Sequence, residues 1–527
     1  MNRFISQPNR SSKKFKNKKY HTELCSDDMT FEECELAILR KAVDETDELK
    51  KAKVANSEDV KKMIRILEDF LVAKKCICYG GTAINNILPK YDQFYNRDVE
   101  VPDYDFYSNS ARDHAIELAD LYFKAGYTET EAKSGVHKGT YKVFVNFIPM
   151  ADITQLHPVL YKSLQKDAIT IAGIKYTPPD YLRMSMFLEL SRPAGDVSRW
   201  EKVLKRLTLL NKHYPLKAAF HCDNINFQRK LDKSSSKEEG EQMYYIVRDC
   251  FIEQGVVFFG GYASSLYSRY MDDSQKRFVQ KIPDFDVLSE DPERCALIVC
   301  ERLQAKGFKN VHTVEHSAYD DVIPRHIEII VGKQSAGFIF EPIACHNYNT
   351  IQIGSQQINV ATIDTMLSFY LAFLYTDAKY FDKSRILCMS KFLFDVEQKN
   401  RLEQKGLLKR FSIMCYGKQK TLEDMRAEKA EMFKLLKGKK GTLEYDEWFF
   451  KYVPKDSGKK ANKETVDNGI PVDNGIPVDN EASLDNEKSV DNEIPVDNET
   501  PKKTVRKLKR KKRKTVKRRD NNFLVIY

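Results

Sequence analysis

Residues 76–108 read CICYGGTAINNILPKYDQFYNRDVEVPDYDFYS. The order of residue types predicts a short apolar strand, a pair of glycines, a helical turn and a second strand that carries Asp103 and Asp105. Side chains alternate between the two faces of a strand, so both carboxylates lie on one face while Tyr104 and Phe106 point into the core. The stretch therefore places two like charges side by side.

Two carboxylates on one face need a compensating partner. At about 4 Å they repel by roughly 4 kcal/mol for an effective dielectric of about 20. Either one of them is protonated, as in a dyad used for acid and base work, or a divalent cation lies between them. Asp152, near the end of the β-rich stretch TYKVFVNFIPMADIT, supplies a third carboxylate. Three such oxygen ligands suit Mg²⁺ or Mn²⁺.

A simpler interpretation of the three acids competes with this one. Asp103 and Asp105 can mark a solvated strand end, and Asp152 can cap a loop. The residues around them favour the metal hypothesis, and they favour it more strongly for the pair than for Asp152.

The glycine pair supplies the other half of the argument. Gly80 and Gly81 end the first strand and open a helix that begins with Thr82. Without Cβ atoms the backbone can approach a ligand closely, and the amides of a helix N-terminus favour phosphate. Cations together with phosphate-binding amides imply a nucleoside triphosphate. A glycine pair alone is weak evidence, but in this order, with three acids, it is fairly specific.

The composition is that of a globular protein with room for two or three domains. The chain has 527 residues, of which 42% are hydrophobic and 31% charged. Its amino terminus lacks the apolar stretch of a signal peptide, and its longest strongly apolar run, MLSFYLAFLY, is far shorter than the roughly 20 residues that span a bilayer. Eleven cysteines without a CxxC pair predict scattered, reduced thiols. We expect a cytosolic type of protein without a membrane span.

The net charge of +10 is unevenly distributed. Six hexapeptide units of the form VDNGIP run from Val466 to Pro501, and residues 502–519 hold 13 Lys or Arg in 18 positions. The repeat has too few large apolar residues to fill a β-helix, so it predicts a disordered tether. The basic block can bind RNA, act as a nuclear-import signal or simply be a solvated tail, and RNA is the slightly favoured partner.

The opening stretch has a second copy. Residues 258–291 repeat the glycine pair as Gly260 and Gly261 and the acid pair as Asp284 and Asp286. Similar segments continue for about a hundred residues at offsets of 180 to 183. The chain is therefore predicted to contain one α/β unit twice.

At this point the residues carry a family resemblance. The glycine turn, the Asp103-Tyr104-Asp105 strand and the later Asp152 look like the signature of DNA polymerase beta-type nucleotidyltransferases. More closely, the blocks YGGTAIN, PDYDFYS and YKVFVNFIPMADIT resemble the catalytic subunit of the poly(A) polymerases of large DNA viruses, the poxvirus and giant-virus group. The resemblance extends over roughly residues 25–450 and is strongest in these three blocks.

The resemblance implies a template-independent transfer of AMP from ATP to RNA 3′ ends with two Mg²⁺ or Mn²⁺ ions. Asp103 and Asp105 would hold both ions, and Asp152 would hold the ion that activates the primer hydroxyl. ATP would contact Gly80, Gly81 and Thr82. The implied partners are ATP and a single-stranded RNA 3′ end, without a membrane.

Several alternatives stay open at the level of sequence. Processivity can come from a homodimer, a separate subunit or the basic tail. The implied location is the host cytoplasm, in a viral factory, with the virion and the nucleus as alternatives. Uridylyl transfer, CCA addition and 2′-5′ oligoadenylate synthesis use the same three acids. A silent RNA-binding scaffold is the rival from another class.

The second copy differs from the first at the third acid. An ungapped offset places Lys333 or Gln334 opposite Asp152, and Glu328 or Glu341 would take that position only with gaps. The simplest hypothesis is a degenerate copy kept as scaffold and RNA platform, while an active duplicate stays open.

The predicted fold class is α/β (α+β), with two tandem nucleotidyltransferase-like mixed-sheet domains, helical extensions and a disordered C-terminal tail. The expected segments are a basic arm, the N-terminal helices with the catalytic domain, the degenerate second domain, a helical and basic C-terminal region, and the acidic repeat with its basic tail. Their predicted bounds are 1–22, 23–215, 216–384, 385–455 and 456–527.

Overall fold

The structure is a computed structural model that describes residues 23–26, 29–98, 100–217, 222, 237–276 and 284–455. The chain divides into two compact units, residues 1–456 and 457–527, and all the described residues belong to the first unit. The predicted basic arm and the predicted tail with its repeat both lie outside the described residues.

Two helices precede the opening stretch. Helix α1 (Phe31–Ala55) starts at a capping box in which Thr30 and Glu33 bond each other's backbone, and α2 (Glu58–Lys74) buries an apolar face. The N-terminal helices expected from the sequence are thus found as two. The chain breaks at Asn56 and Ser57, because these two polar residues end one helix and begin the next.

A first mixed sheet follows. Its strands are β1 (Ile77–Cys78), β2 (Asp105–Ser108), β3 (Thr130–Ser134), β4 (Thr140–Val145), β5 (Ile148–Gln155), β6 (Ile169–Ile171) and β7 (Ile174–Tyr176). The helices between and after them are α3 (Gly80–Ile87), α4 (Ala111–Lys124), α5 (Pro158–Asp167), α6 (Pro179–Leu190) and α7 (Trp200–His213).

A second mixed sheet is built in the same way. Its strands are β8 (Val257–Phe258), β9 (Asp286–Leu288), β10 (Val311–His316), β11 (His326–Val331), β12 (Gln334–Phe340), β13 (His346–Ile353) and β14 (Gln356–Ala361). The accompanying helices are α8 (Lys237–Glu253), α9 (Gly261–Tyr267), α10 (Asp273–Lys276), α11 (Pro292–Ala305), α12 (Ile363–Phe373) and α13 (Lys383–Lys399).

The two sheets share one topology. The first runs β3-β4-β5-β2-β1-β7-β6 and the second β10-β11-β12-β9-β8-β14-β13. In each sheet, the strand before the glycine turn (β1 or β8) is antiparallel to the strand of the acid pair (β2 or β9) and parallel to β7 or β14, respectively. The predicted fold class, with one unit present twice, is therefore confirmed.

The copies meet through an apolar helix pair. Every residue of α12 is buried, and α12 packs against α6. The backbone amide of Asn347 in the second copy donates to the carbonyl of Ser191 in the first at 2.8 Å. The longest apolar run of the sequence is thus a core helix between the copies. Among the described residues, no helix combines the length and the apolar character that crossing a membrane requires.

The C-terminal region returns to both sheets. It contains β15 (Cys415–Tyr416), α14 (Leu422–Leu436), α15 (Leu443–Phe449) and β16 (Lys451–Tyr452). Strand β15 pairs with β13, and β16 pairs with β3 at the edge of the first sheet. The sequence pattern of FDVEQKNRLEQKGLLKRF predicts a single helix, but α13 ends at Lys399 and the chain then turns. The domain bounds at residues 216 and 385 stay predictions.

The cysteines differ from the expectation of reduced thiols. Disulfides join Cys25 to Cys34, Cys222 to Cys388 and Cys345 to Cys415. The partners are up to 166 residues apart, so their proximity depends on the tertiary fold and spacing alone could not reveal it. Cys76 and Cys78, which the sequence places on the first strand as small core residues, are free and buried.

Candidate active site

The acid-pair strand has the predicted alternation. Tyr104 and Phe106 are fully buried, whereas Asp103 is exposed and Asp105 is half-buried. The aromatic side chains anchor the strand in the core and leave the two acids on its open face. Asp105 is the first residue of β2, so Asp103 lies in the segment that leads into the strand.

Asp152 lies next to Asp105. Strands β2 and β5 are parallel, and Asp105 and Asp152 are direct partners in their register. The amide of Asp152 donates to the carbonyl of Tyr104 at 3.0 Å. Neighbouring strands are about 4.8 Å apart, so the two acidic side chains start from backbone positions that lie side by side. The fold thus brings together two acids that are 47 positions apart in the sequence.

The glycine turn lies directly against this acid edge. Gly80 has φ +70°, and a Cβ added to it would lie 2.7 Å from Oδ2 of Asp105. The amide of Tyr79 donates to the carbonyl of Asp105 at 2.9 Å. Helix α3 begins after Tyr79 without a side-chain cap. Only glycine permits this close approach, and the side chain of Tyr79 does not cap the helix.

Thr82 has a different environment from the one its predicted ATP contact suggests. Its side chain is buried, and its hydroxyl donates to the backbone carbonyl of Asp103. The bond joins the first turn of α3 to the segment that carries the exposed acid. In this arrangement Thr82 positions Asp103.

Lys142 is a charged neighbour that the sequence interpretation missed. It is the register partner of Asp152 across β4 and β5, and its Nζ lies 2.6 Å from Oδ2 of that acid. The two side chains are 29% and 20% exposed, so the pair is partly screened by solvent. The alternation of YKVFVNFIPMADIT does not reveal this ion pair by itself, because the pairing of Lys142 with Asp152 depends on the register of the hairpin.

Arg206 is a second missed residue. It projects from α7, is 9% exposed, and donates from Nη2 to the hydroxyl of Tyr95 at 2.6 Å. The atoms that a Cβ on Gly81 would meet belong to Tyr95 and Arg206. A guanidinium from a helix more than a hundred residues downstream therefore lies beside the glycine turn.

The predicted metal ligands can be tested against this geometry. Over the described ranges, no three acid, histidine or cysteine side chains form a group ready to hold a metal ion. As folded, Asp152 is paired with Lys142. The donor chemistry still fits a hard divalent cation, because two carboxylates start from adjacent register positions and Asp103 precedes them on the same edge. The assignment of the three acids as metal ligands stays a prediction.

The second copy has lost the third acid. Asp286 has the buried Phe338 as its partner in the parallel pair β9 and β12, where the first copy has Asp105 and Asp152. The ungapped alignment that placed Lys333 or Gln334 there is wrong. The hairpin of β10 and β11 is longer than that of β3 and β4, so the offset between copies has grown to 186 at Phe338.

The remaining acids of the second copy face the protein itself. Cβ atoms on Gly260 and Gly261 would collide with the carboxylates of Asp286 and Asp284, respectively. Arg385 of α13 lies 3.2 Å from Oδ2 of Asp284, and both side chains are less than a tenth exposed. A fixed internal cation thus neutralises an acid that corresponds to Asp103.

The topology, the acid pair and the glycine turn, present in both copies, agree with the tandem nucleotidyltransferase-like arrangement expected from the sequence. Residues 65–196 match the family model described as poly(A) polymerase catalytic subunit. The resemblance to the viral poly(A) polymerase catalytic subunits is therefore confirmed over the segment that holds the predicted site.

Individual proteins agree with the family model. A protein of African swine fever virus, strain Badajoz 1971 Vero-adapted, that is assigned as a poly(A) polymerase catalytic subunit is 29% identical over 168 residues, which are 31% of this chain and 35% of that protein. One of Acanthamoeba polyphaga mimivirus with the same assignment is 30% identical over 187 residues, or 34% of this chain and 29% of that protein. The matched segments thus span about a third of the length of these curated relatives.

The whole fold has a solved counterpart. The crystal structure of the Megavirus polyadenylate synthase superposes with a TM-score of 0.66 at 19% identity and covers 82% of this chain and 88% of its own. This likeness extends far beyond the segment matched in sequence. The two proteins therefore share a fold that includes both copies.

Proposed function

We propose that this protein transfers AMP from ATP to RNA 3′ ends without a template. The observation that carries the proposal is the parallel register of Asp105 and Asp152 beside the glycine turn at Gly80. This arrangement lies within residues 65–196, the segment that matches the poly(A) polymerase family model. Polyadenylation is the activity that the relatives' names support.

Asp103, Asp105 and Asp152 are the residues that would hold the divalent ions. Bound Mg²⁺ or Mn²⁺ would lower the pKa of the primer 3′-hydroxyl and neutralise the triphosphate and the leaving pyrophosphate. The protein contributes position: Tyr104 and Phe106 fix the acid strand in the core, and Thr82 ties the Asp103 segment to α3. Catalysis of this kind needs no covalent intermediate with the enzyme.

The glycine turn would receive the phosphates. Gly80 leaves the backbone open to a close ligand, and the uncapped start of α3 presents amides with a partial positive charge. The same turn contacts Asp105. Phosphate and acid sites therefore share one edge, as the in-line attack of a hydroxyl on an α-phosphate requires.

Single-stranded RNA would approach from the side of the C-terminal region. Strand β16 extends the first sheet through β3, and Lys429 of α14 donates to the carbonyl of Gly135 at 3.4 Å. The sequence of α14 and the turn after it is rich in lysine. The slope of log affinity against log salt should fall by about 0.7 for each phosphate contact that a charge removal abolishes on single-stranded RNA.

The test is an extension assay with an RNA oligonucleotide, Mg²⁺ or Mn²⁺ and each nucleotide in turn. We expect the wild type to add a tract from ATP, and Asp105→Asn and Asp152→Asn to reduce the rate by several orders of magnitude while the variants stay folded. Addition from UTP alone would redirect the proposal to another terminal transferase. RNA binding without extension would support the alternative hypothesis of a catalytically silent RNA-binding scaffold.

Location in the host cytoplasm, and a homodimer or separate subunit as the source of processivity, remain part of the proposal.

A further inference from the structure

A fixed cation lies beside the glycine turn of the first copy. Nη1 of Arg206 is 3.1 Å from the point that a Cβ on Gly81 would occupy. The arginine is nine-tenths buried, so its guanidinium is directed at the turn and not into bulk solvent. At this turn α3 begins without a side-chain cap.

The guanidinium is held in place by neighbours on two sides. Its Nη2 donates to the hydroxyl of Tyr95 at 2.6 Å, and its carbon lies 4.8 Å from the centre of the Phe94 ring. The amides of Phe94 and Tyr95 both donate to Oδ1 of Asn85 at 2.8 Å. Because Asn85 belongs to α3, the support of Arg206 and the glycine turn move as one body. A cation held this way loses little side-chain entropy when it binds an anion.

The second copy shows what an arginine does at this position. Arg385 lies on α13, the helix that follows α12 as α7 follows α6. It pairs with Asp284, whose other carboxylate oxygen lies where a Cβ on Gly261 would be. The second copy therefore holds an anion of its own between the arginine and the glycine turn.

In the first copy the acid at the turn faces Gly80, where Oδ2 of Asp105 lies 2.7 Å from an added Cβ, and Gly81 has other neighbours. The three atoms nearest to a Cβ on Gly81 belong to Tyr95 and Arg206, and none is a carboxylate oxygen. Asp103, which corresponds to Asp284, is exposed. Gly81 of the first copy thus faces a guanidinium where Gly261 of the second faces a carboxylate, and a ligand phosphate can supply the anion beside Gly81.

We propose that Arg206 binds the phosphate chain of the nucleotide, in the place that the Asp284 carboxylate takes in the second copy. The inference rests on the proposed function for the identity of the nucleotide. A guanidinium can give two parallel hydrogen bonds to phosphate oxygens, which a lysine ammonium cannot. Arg206 therefore recognises the triphosphate and contributes nothing to the choice of base.

The test compares three ligands without RNA, so that no turnover occurs. Calorimetry in Mg²⁺ measures the binding of ATP, and adenosine and inorganic tripolyphosphate are measured as competitors. Arg206→Met should weaken ATP and tripolyphosphate binding on the order of 10- to 100-fold and leave adenosine unchanged. Arg206→Lys should give an intermediate loss. Lys205→Met is the matched control, since that neighbour on α7 is 73% exposed and should leave all three affinities unchanged.

Unchanged ATP affinity in Arg206→Met would overturn the inference, and so would an equal loss for ATP and adenosine, because that pattern belongs to a structural role. A melting curve shows whether the variant folds. Should it not fold, Tyr95→Phe replaces it: loss of the hydroxyl that orients Arg206 should weaken ATP binding roughly 2- to 10-fold, and unchanged affinity would refute the inference. A wild type that binds ATP through Arg206 without lengthening RNA would refute the polymerase and leave this inference intact.

Discussion

Replacement of Arg385 by methionine should destabilise the second copy selectively. The guanidinium faces the Asp284 carboxylate at 3.2 Å, and the two side chains are 8% and 9% exposed. Methionine fills most of the volume but leaves the acid buried without its cation. The free energy of unfolding of this copy should then fall by about 3 to 5 kcal/mol, the usual cost of breaking a buried ion pair from one side.

Hydrogen–deuterium exchange can measure this loss where it occurs. Amides of α9 and β9 border the pair, and in the regime where opening is rapidly reversible their exchange should rise roughly 150- to 4,000-fold. Amides of α3 and β2, the corresponding elements of the first copy, should change much less. Local exchange is preferable to a single melting curve because a chain with two copies need not unfold in one step.

The double variant Asp284→Asn, Arg385→Met is the decisive comparison. Removing both charges should restore most of the lost protection, since no uncompensated ion remains. Lys383→Met, an exposed neighbour on α13, controls for the loss of a positive charge. If the single variant is as protected as the wild type, or if the double variant is as weak as the single one, Arg385 is not the internal cation of this copy.

Three further outcomes are expected. Burial raises the pKa of Glu397 to about 8. The unfolded chain loses this proton near the ordinary pKa of about 4.5, so the free energy of unfolding is highest below that pH and falls as the pH rises toward 8. In denaturant titrations Glu397→Gln should remove this pH dependence, which amounts to up to about 1.4 kcal/mol per pH unit. Lys142→Met removes the ammonium that lies 2.6 Å from Asp152. If Lys142 competes with a metal ion for this carboxylate, Mn²⁺ binding measured by electron paramagnetic resonance should become several-fold tighter, and weaker binding would contradict that competition. Gly80→Ala should abolish extension, while Gly126→Ala, also at positive φ but with open space around it, should retain it.

Much of the local structure was predictable because it depends on neighbours in sequence. The alternation around Tyr104 predicted which side of β2 is buried, and the glycine pair predicted the turn into α3. The amphipathic pattern after Asp105 predicts a helix over roughly Arg112–Ala125, and α4 is found at Ala111–Lys124. These features follow from strand and helix periodicity, which a few consecutive residues suffice to define.

The predictions failed where a single insertion or a distant contact decides the result. The longer hairpin in the second copy shifted the register, so Phe338 and not Lys333 or Gln334 stands opposite Asp286. Because side chains alternate along a strand, an odd offset error, such as the five positions between Lys333 and Phe338, changes the face as well as the residue. The disulfide partners were likewise invisible to spacing.

The sequence by itself determined that an α/β unit occurs twice, that each copy has an acid pair after a glycine turn, and that the first copy carries a third acid. Only the tertiary structure decided which charges surround those acids. Lys142 and Arg206 reach the first site, and Arg385 the second, from separate strands and helices. The physical reason is that periodicity is encoded locally, whereas the partner of a charge depends on how distant segments pack together.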